Sequence, residues 1–257
     1  MERINDILGY PNLKIYQDSS FFSFSLDSII LANYSTIRLR DTKIIDFCTG
    51  NGVVPLILSK RCNKCIEGVE VQEKIYNLAL KSLVENNLEN RICYYNMDVK
   101  DFCNDKNRYN TYDLVLCNPP YFKNNDLSSK NLSYEKMIAR HEILIDLDTI
   151  VACANKILKE HGSLCMVHRT DRLIDVITAF KKYGIEPKRI KYIHENIDKE
   201  STLFLIEGQK AGSVGLKIDK PLILYNLDGT MTDEYNNLQL EVRKWYKKVI
   251  MIQQVFI

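Results

Sequence analysis

The chain has little glycine and little proline, with 10 glycines and 6 prolines among 257 residues. No long polar, glycine/serine-rich or repeated stretch interrupts it, so a flexible linker between domains is not expected. It also lacks the ~18–20 consecutive apolar residues of a membrane-spanning helix. Its first residues do not form a basic-then-apolar leader. These absences predict a cytoplasmic protein without a membrane partner.

Neither sign of charge dominates, since 35 Lys and Arg residues face 33 Asp and Glu residues, for a formal net charge of +2. Such a balance neither requires nor excludes a nucleic-acid partner. The 8 cysteines are expected to be reduced thiols. Cys62 and Cys65 form one Cys-x-x-Cys pair without a second pair at zinc spacing, and we predict no metal site.

Short β-branched runs alternate with helical patterns from Lys43 onward. The predicted strands are 43–47, 65–70, 92–96, 112–117, 164–168, 189–193 and 202–207. The predicted helices are 53–60, 72–87, 145–159 and 173–183, preceded by a short helix at 28–34 with Asp27 as its N-cap. Right-handed crossovers turn this order into an α/β fold. We expect a seven-stranded, mostly parallel sheet with an antiparallel closing strand and helices on both faces.

Polar residues close the first predicted strand, at the edge where ligands of such sheets bind. Asp46 and Thr49 lead into the turn Gly50-Asn51-Gly52, whose glycines let backbone amides approach a ligand closely. A phosphate-binding loop would have a third glycine and a cation, but residue 55 is Pro and the loop carries no cation. A phosphate cradle is therefore disfavoured.

Acidic residues stand at the next two strand ends. Glu70 can accept both ribose hydroxyls of an adenosine, although a surface glutamate would have the same pattern. Asp98 either accepts from an adenine amino group or caps a helix. With Asp46, these carboxylates would repel the phosphates of a dinucleotide but suit a cationic sulfonium and a free amino group.

The sequence Asn118-Pro119-Pro120-Tyr121 follows the fourth predicted strand and must end it, because proline cannot continue a central ladder. Neither proline has an N–H, so the Asn118 side-chain oxygen and the Pro119 carbonyl can both accept from one incoming NH₂ group. Tyr121 offers a flat face for a planar substrate. The pattern predicts chemistry at an amino nitrogen, driven by positioning and electrostatics rather than by a strong base.

These residues resemble two signatures. Asp46-x-x-x-Gly50-x-Gly52, followed by Glu70 and Asp98, resembles the cofactor motifs of the Rossmann-like class I S-adenosylmethionine methyltransferases. Residues 118–121 are similar to the (Asn/Asp)-Pro-Pro-aromatic signature of amino-methyltransferases. The resemblance implies S-adenosylmethionine as cofactor and S-adenosylhomocysteine as product. It also implies a cofactor site in which the two glycines face the methionine part: Asp46, Thr49, Gly50, Asn51, Gly52, Glu70, Val71, Asp98 and Val99.

Three further segments resemble one bacterial group, the tRNA1(Val) adenine-37 N6-methyltransferases. Phe21–Ala32 resembles an N-terminal motif that caps the cofactor, which implies Phe24 and Asp27 at the cofactor site; 139–142 and 228–235 also match. The resemblance spans roughly residues 15–236 and implies methylation of adenine 37 in tRNA. It divides the chain into a prelude packed on the cofactor site (1–42), a methyltransferase domain (43–236) and a basic, apolar tail (237–257).

Several basic residues become candidate phosphate contacts if they share the face of Asn118. The tail either grips RNA with Trp245 and Tyr246 or packs on the domain. We expect tRNA as the partner, no obligate protein partner, and a monomer or weak homodimer. A loop at 123–135, rich in Ser, Asn and Lys, is a candidate lid. The candidate RNA contacts are Lys123, Arg140, His141, Arg243, Lys244, Lys247 and Lys248.

Three alternatives stay open. Protein-glutamine N5-methyltransferases of release factors typically carry an N-terminal helical domain, whereas about 42 residues precede Lys43 here. An rRNA guanine-N2 methyltransferase would share the signature at Asn118. A non-catalytic RNA-binding module with this fold predicts a damaged pocket, but every strand-end residue named above is present.

Overall fold

Residues 1–19, 26–119 and 146–236 are described by the computed structural model. Their helices and strands alternate over most of the chain. None of these helices combines the length and apolarity needed to cross a membrane. The elements are β1 (Glu2–Ile7), β2 (Tyr10–Asp18), α1 (Leu26–Tyr34), β3 (Lys43–Phe47), α2 (Val53–Arg61), β4 (Cys65–Glu70), α3 (Glu73–Glu85), β5 (Ile92–Asn96), α4 (Val99–Asn104), β6 (Tyr112–Cys117), α5 (Leu147–Ile157), β7 (Leu158–Arg169), α6 (Leu173–Lys182), β8 (Ile185–His194), β9 (Leu203–Lys210), β10 (Lys217–Ile218) and β11 (Leu222–Ile223).

The main sheet confirms the predicted Rossmann-like architecture. Its strand order is β10-β8-β9-β7-β6-β3-β4-β5, with β11 also paired to β8. Strand β9 is antiparallel to both β7 and β8, and the other pairs are parallel. All seven predicted strands are present. The two-residue strands β10 and β11 extend the β8 edge; they escaped prediction because so short a run has no alternation to detect.

The sheet separates two apolar layers. Along β3, Ile44 belongs to the layer that includes the hairpin, α1, α2 and α3, whereas Ile45 belongs to the layer that includes α4, α5 and α6. Leu114 and Val115 divide in the same way on β6. Because both faces are covered, these strands are continuous apolar runs rather than alternating ones.

Some predicted boundaries were wrong. Helix α5 ends at Ile157 and β7 begins at Leu158, so residues assigned to the end of a helix start the longest strand instead. Their apolar spacing suits either structure, and pairing with β6 decides for the strand. Helix α1 begins at Leu26, which places Asp27 inside its first turn and not at the N-cap. A carboxylate there still interacts favourably with the helix dipole.

The hairpin of β1 and β2 was missed, since the prediction assigned only a short helix before Lys43. Its buried residues are Ile7, Tyr10, Leu13 and Ile15, and their irregular spacing does not form a clear strand alternation. The hairpin is fixed to α3 by polar side chains. Asn86 accepts from Lys14 N at 2.9 Å and donates to Lys14 O at 2.6 Å, and Ser82 Oγ accepts from Tyr16 N at 2.9 Å.

We predict that Asn86→Ala loosens this hairpin, because it leaves partly buried main-chain groups of Lys14 without partners. The free energy of unfolding should fall by about 1–3 kcal/mol, and hydrogen exchange in β2 should accelerate. Lys81→Ala is the matched control, since it removes a 2.7 Å ion pair between α3 and Glu2 that is exposed. It should cost less than ~1 kcal/mol. Equal losses in the two variants would contradict the assigned role of Asn86.

Candidate functional site

Four adjacent parallel strands end at the same edge of the sheet. Phe47 of β3 pairs with Val69 of β4 and with Cys117 of β6, while Glu70 pairs with Asn96 of β5. The loops that follow therefore start side by side. This edge brings together the strand-end residues singled out from the sequence that lie in the described part of the chain: Asp46, Thr49, Gly50, Asn51, Gly52, Glu70, Val71, Asp98, Val99, Asn118 and Pro119.

The loop after β3 has an unusual backbone. Cys48, Gly50 and Gly52 have φ of 56°, 58° and 88°. For the non-glycine Cys48 this conformation stores about 1–2 kcal/mol of strain, which the surrounding fold must impose. A Cβ at Gly52 would lie 2.3 Å from Tyr94 Oη, so packing requires glycine there. Among the described residues, no atom lies within 4 Å of a Cβ added at Gly50, so no described side chain crowds the backbone there.

Glu70 links the first two loops. Its Oε2 accepts from Gly50 N at 3.0 Å and its Oε1 accepts from Gln72 N at 2.9 Å. Burial raises the pKa of Glu70 above its ordinary value, and the amide bonds from Gln72 and Gly50 partly offset this. Asn96 Nδ2 donates to the carbonyl oxygens of Glu70 at 2.8 Å and Val71 at 3.1 Å. The carboxylate is thus held in one orientation at the end of β4.

Asp46 and Thr49 place buried polar atoms under the same loop. Asp46 is 2% exposed, and burial raises its pKa to about 8; the nearby Thr49 side chain partly offsets this, and the neighbouring Glu70 charge adds to it. Within the described part of the chain, Asp46 Oδ1 and Thr49 Oγ1 have no hydrogen-bond partner. Leaving such atoms unpaired is costly. Both atoms are therefore suited to a ligand that brings donors, and Asp46 to one that is cationic.

Asp98 acts as a helix cap in the structure. Its Oδ1 accepts from Lys100 N at 2.7 Å, at the start of α4. Of the two interpretations left open by the sequence, the cap is therefore observed, and one carboxylate oxygen is used for it. Val99, in the first turn of α4, is 5% exposed, whereas Val71 after β4 is 39% exposed. Val71 thus offers apolar surface at this edge.

Asn118 is held at the end of β6 by the N-terminal part of the chain. Its Nδ2 donates to Ser28 Oγ of α1 at 2.8 Å. Pro119 is buried directly after it. Of the remaining site predictions, Asp27 lies in the first turn of α1 next to Ser28. The others lie outside the described residues: Phe24, Pro120, Tyr121, Lys123, Arg140, His141, Arg243, Lys244, Lys247 and Lys248. They stay predictions, as does the role of residues 123–135 and of the tail.

The structure adds residues that the sequence did not indicate. Ser28 accepts from Asn118, and Asn96 donates to the Glu70 carbonyl, as described above. In addition, Tyr94 Oη donates to Gly52 O at 3.3 Å. Asn51, predicted to bind cofactor, donates through Nδ2 to Tyr16 O at 3.0 Å and so ties the loop to the hairpin. Gln17, which follows Tyr16 in the hairpin, has a buried Nε2 with no partner among the described residues. None of these contacts joins residues near each other in sequence, so local patterns could not reveal them.

The Cys62–Cys65 pair joins a helix to a strand, as predicted. Cys62 is buried at the end of α2, where its Sγ donates to Leu58 O at 3.5 Å, and Cys65 is exposed at the start of β4. In the described ranges, no three His, Cys, Asp or Glu side chains cluster as metal ligands would.

Comparison with known proteins gives consistent relatives. The family model described as "Methyltransferase small domain" matches residues 13–185. A protein of Flavobacterium psychrophilum named tRNA1(Val) (adenine(37)-N6)-methyltransferase is 22% identical over 201 residues, covering 77% of this chain and 84% of the relative. A protein of Pedobacter heparinus with the same name is 27% identical over 234 residues, covering 89% of this chain and 94% of the relative.

Solved structures share the fold. A structure described as a "predicted O-methyltransferase" from Agrobacterium tumefaciens has a TM-score of 0.67 at 19% identity, covering 83% of this chain and 95% of the other. P. horikoshii TYW2, solved in complex with MeSAdo, has a TM-score of 0.55 at 15% identity, covering 78% of this chain and 69% of the other. At these identities the likeness concerns the fold.

We predict that Asp46→Asn stabilises the ligand-free protein increasingly as pH rises. Asp46 keeps its proton in the folded state up to about pH 8, whereas the unfolded chain releases it near pH ~4. Between these values the folded state binds more protons, so stability falls by about 1.4 kcal/mol per pH unit. The melting temperature of the variant minus that of the wild type should therefore grow from pH 6 to pH 8 and then level off. About 2–4 °C is expected per kcal/mol.

Asp113→Asn serves as the control with the opposite sign. Burial would raise the pKa of Asp113, but bonds from Thr42, Lys159 and Lys43 lower it below its ordinary value. Its ionised form therefore stabilises the fold at neutral pH, and its loss should lower the melting temperature there. A difference for Asp46→Asn that is constant between pH 6 and pH 9 would contradict the buried, protonated state of Asp46.

Proposed function

Because the chain belongs to the methyltransferase small domain family, we propose that it transfers a methyl group from S-adenosylmethionine to the exocyclic N6 of an adenine in tRNA. The observation that carries this proposal is the position of Asn118. It ends β6 directly beside the strained loop that follows β3, the strand with which β6 pairs. An amino group held at Asn118 would thus adjoin a ligand held at that loop.

The residues of the first three loops fit S-adenosylmethionine. When bound, it supplies a methyl group on a positively charged sulfur. Asp46 Oδ1 and Thr49 Oγ1, buried and lacking partners among the described residues, would accept from the methionine ammonium group. The fixed carboxylate of Glu70 would accept from the ribose hydroxyls. Val71 and Val99 would flank the adenine, and the Asp98 oxygen not used in capping would accept from its amino group.

The acceptor side activates a poor nucleophile. The lone pair of an adenine amino group is delocalised into the ring, so the free amine attacks slowly. Asn118 Oδ1 and the Pro119 carbonyl would each accept one N–H and hold the nitrogen in the geometry of attack. Because the proton becomes acidic only after transfer, no strong base is needed beforehand. Preorganised acceptors then supply most of the rate enhancement. Tyr121 would stack on the flipped base.

The names of the relatives support tRNA as the substrate. The Flavobacterium and Pedobacter relatives are both named for methylation of adenine 37 in tRNA1(Val), and each alignment covers more than three quarters of this chain. We infer the same target here, with the basic residues at Lys123 and Arg140 and in the tail as candidate phosphate contacts. The proposal includes a prelude before Lys43 that packs on the cofactor site.

We predict that Asn118→Ala lowers kcat by about 10²–10³-fold, the usual cost of losing one preorganised group at a transition state. The affinity for S-adenosylmethionine, measured by calorimetry, should stay within about twofold, because Asn118 lies outside the first three loops. The control is Asn107→Ala, an exposed asparagine that precedes β6 at its opposite end. An Asn118→Ala protein with full activity would refute the acceptor role.

We predict that labelled S-adenosylmethionine transfers its methyl group to tRNA and that digestion yields N6-methyladenosine. Incubation with separate pools of total tRNA, ribosomal RNA and purified release factor identifies the substrate. Label in a release-factor glutamine or in a guanine of ribosomal RNA would replace the proposed substrate. No calorimetric binding of S-adenosylmethionine would instead indicate a non-catalytic module.

A further inference from the structure

The contact between Asn118 and Ser28 joins the end of β6 to a helix that lies 90 residues earlier in the chain. Ser28 lies in the first half of α1 and is 7% exposed. Its hydroxyl oxygen accepts from Asn118 Nδ2 at 2.8 Å. A side-chain amide has one donor end and one acceptor end, so a bond to its nitrogen determines the direction in which its oxygen faces.

We propose that Ser28 is a positioning residue that sets the orientation of the Asn118 amide for methyl transfer. The inference rests on the proposed function, in which Asn118 Oδ1 accepts from the target amine. With Nδ2 bonded to Ser28, Oδ1 faces away from α1. The opposite orientation would present two N–H donors to an NH₂ group, which repels them. The bond from Nδ2 to Ser28 therefore holds the amide in the one orientation that can bind the substrate.

Ser28 can do this because α1 is held rigidly. From α2, the helix that follows Gly52, Arg61 donates to the carbonyl oxygen of Ala32 and to Ser35 Oγ and Ser35 O, the last two at 2.9 Å each. From the hairpin, Tyr10 Oη donates to Asn33 Oδ1 at 2.8 Å. Helix α1 is thus fixed to α2, which begins directly after Gly52. The bond between Ser28 and Asn118 therefore places the Asn118 amide relative to the loop at Gly50 and Gly52.

The experiment compares Ser28→Ala with Ser163→Ala, a second buried serine, in steady-state methylation of tRNA. Ser163 is 2% exposed and accepts from Arg38, so its loss should lower the melting temperature and leave kcat unchanged. Ser28→Ala should lower kcat by about 10- to 100-fold, the size of effect expected for a misplaced reacting group. Its KM for tRNA and its affinity for S-adenosylmethionine should stay within about twofold. Ser28→Thr, which keeps the hydroxyl, should retain most activity.

A second arm separates orientation from general packing. Aspartate has two equivalent oxygens and no nitrogen end, so in an Asn118→Asp background there is no orientation that the bond to Ser28 needs to hold. Ser28→Ala should then reduce kcat by a much smaller factor than it does with Asn118 in place. An equal factor in both backgrounds, or an unchanged kcat in the original background, would overturn the proposal. If Ser28→Ala does not fold, Ser28→Cys replaces it, since a thiol is close in size but a weak acceptor.

A third measurement distinguishes failure of this inference from failure of the proposed function. The side-chain amide of Asn118, observed by NMR in the full-length protein, should give a slowly exchanging resonance that Ser28→Ala shifts and exposes to faster exchange. A wild-type protein that methylates no RNA would refute the proposed function, while this resonance would still report whether Ser28 fixes the amide. An unchanged resonance in Ser28→Ala would overturn the positioning role.

Discussion

The reversal of strand order at β3 is the constraint on which the rest of the structure depends. The chain leaves β3 toward β4 and β5 on one side, then returns to place β6 on the other side. Strands β3 and β6 end at adjacent positions, Phe47 and Cys117, but α2, which comes after β3, and α5, the next described helix after β6, cover opposite faces of the sheet. Such a divergence opens a crevice at the carboxyl edge of the sheet. The glycine loop lies on one side of it and Asn118 on the other, so the order of strands brings these chemically different residues to neighbouring positions.

Buried carboxylates give the crevice its electrostatic character. Glu70 uses two main-chain amides to remain fixed despite a pKa that burial raises. Asp46 has no such support from the described residues for its Oδ1, and burial raises its pKa to about 8. The two neighbouring acids are therefore held differently. Glu70 is fixed by main-chain amides, whereas Asp46 is suited to ionise when a cation binds. Binding of a cationic ligand at Asp46 would offset the cost of its burial, since an opposite charge favours the ionised form.

The sequence was sufficient for the seven longer strands of the main sheet, because seven apolar runs of strand length alternate with helical spacing. It also placed the residues from Asp46 to Asn118 at the correct strand ends. It failed where a structure depends on distant partners. Leu158 would suit the buried face of a helix or of a strand, and only its pairing with Tyr112 makes it a strand residue. The hairpin is held by Asn86 and Ser82, which lie about 70 residues away. The position of Asp98 in the sequence suits both an adenine contact and a helix cap, and only the 2.7 Å bond to Lys100 N identifies it as a cap.

The segment before Lys43 connects both halves of the crevice. At the end of the hairpin, the Tyr16 carbonyl accepts from Asn51 of the glycine loop. At the start of α1, Ser28 accepts from Asn118 of the opposite wall. Tyr10, which donates to Asn33, fixes the hairpin to the helix, so these two contacts belong to one connected unit. A shift of this unit would therefore disturb Asn51 and Asn118 together. In the proposed reaction the methyl group passes between these two loops, and the N-terminal segment adds to the β3–β6 pairing that fixes their separation.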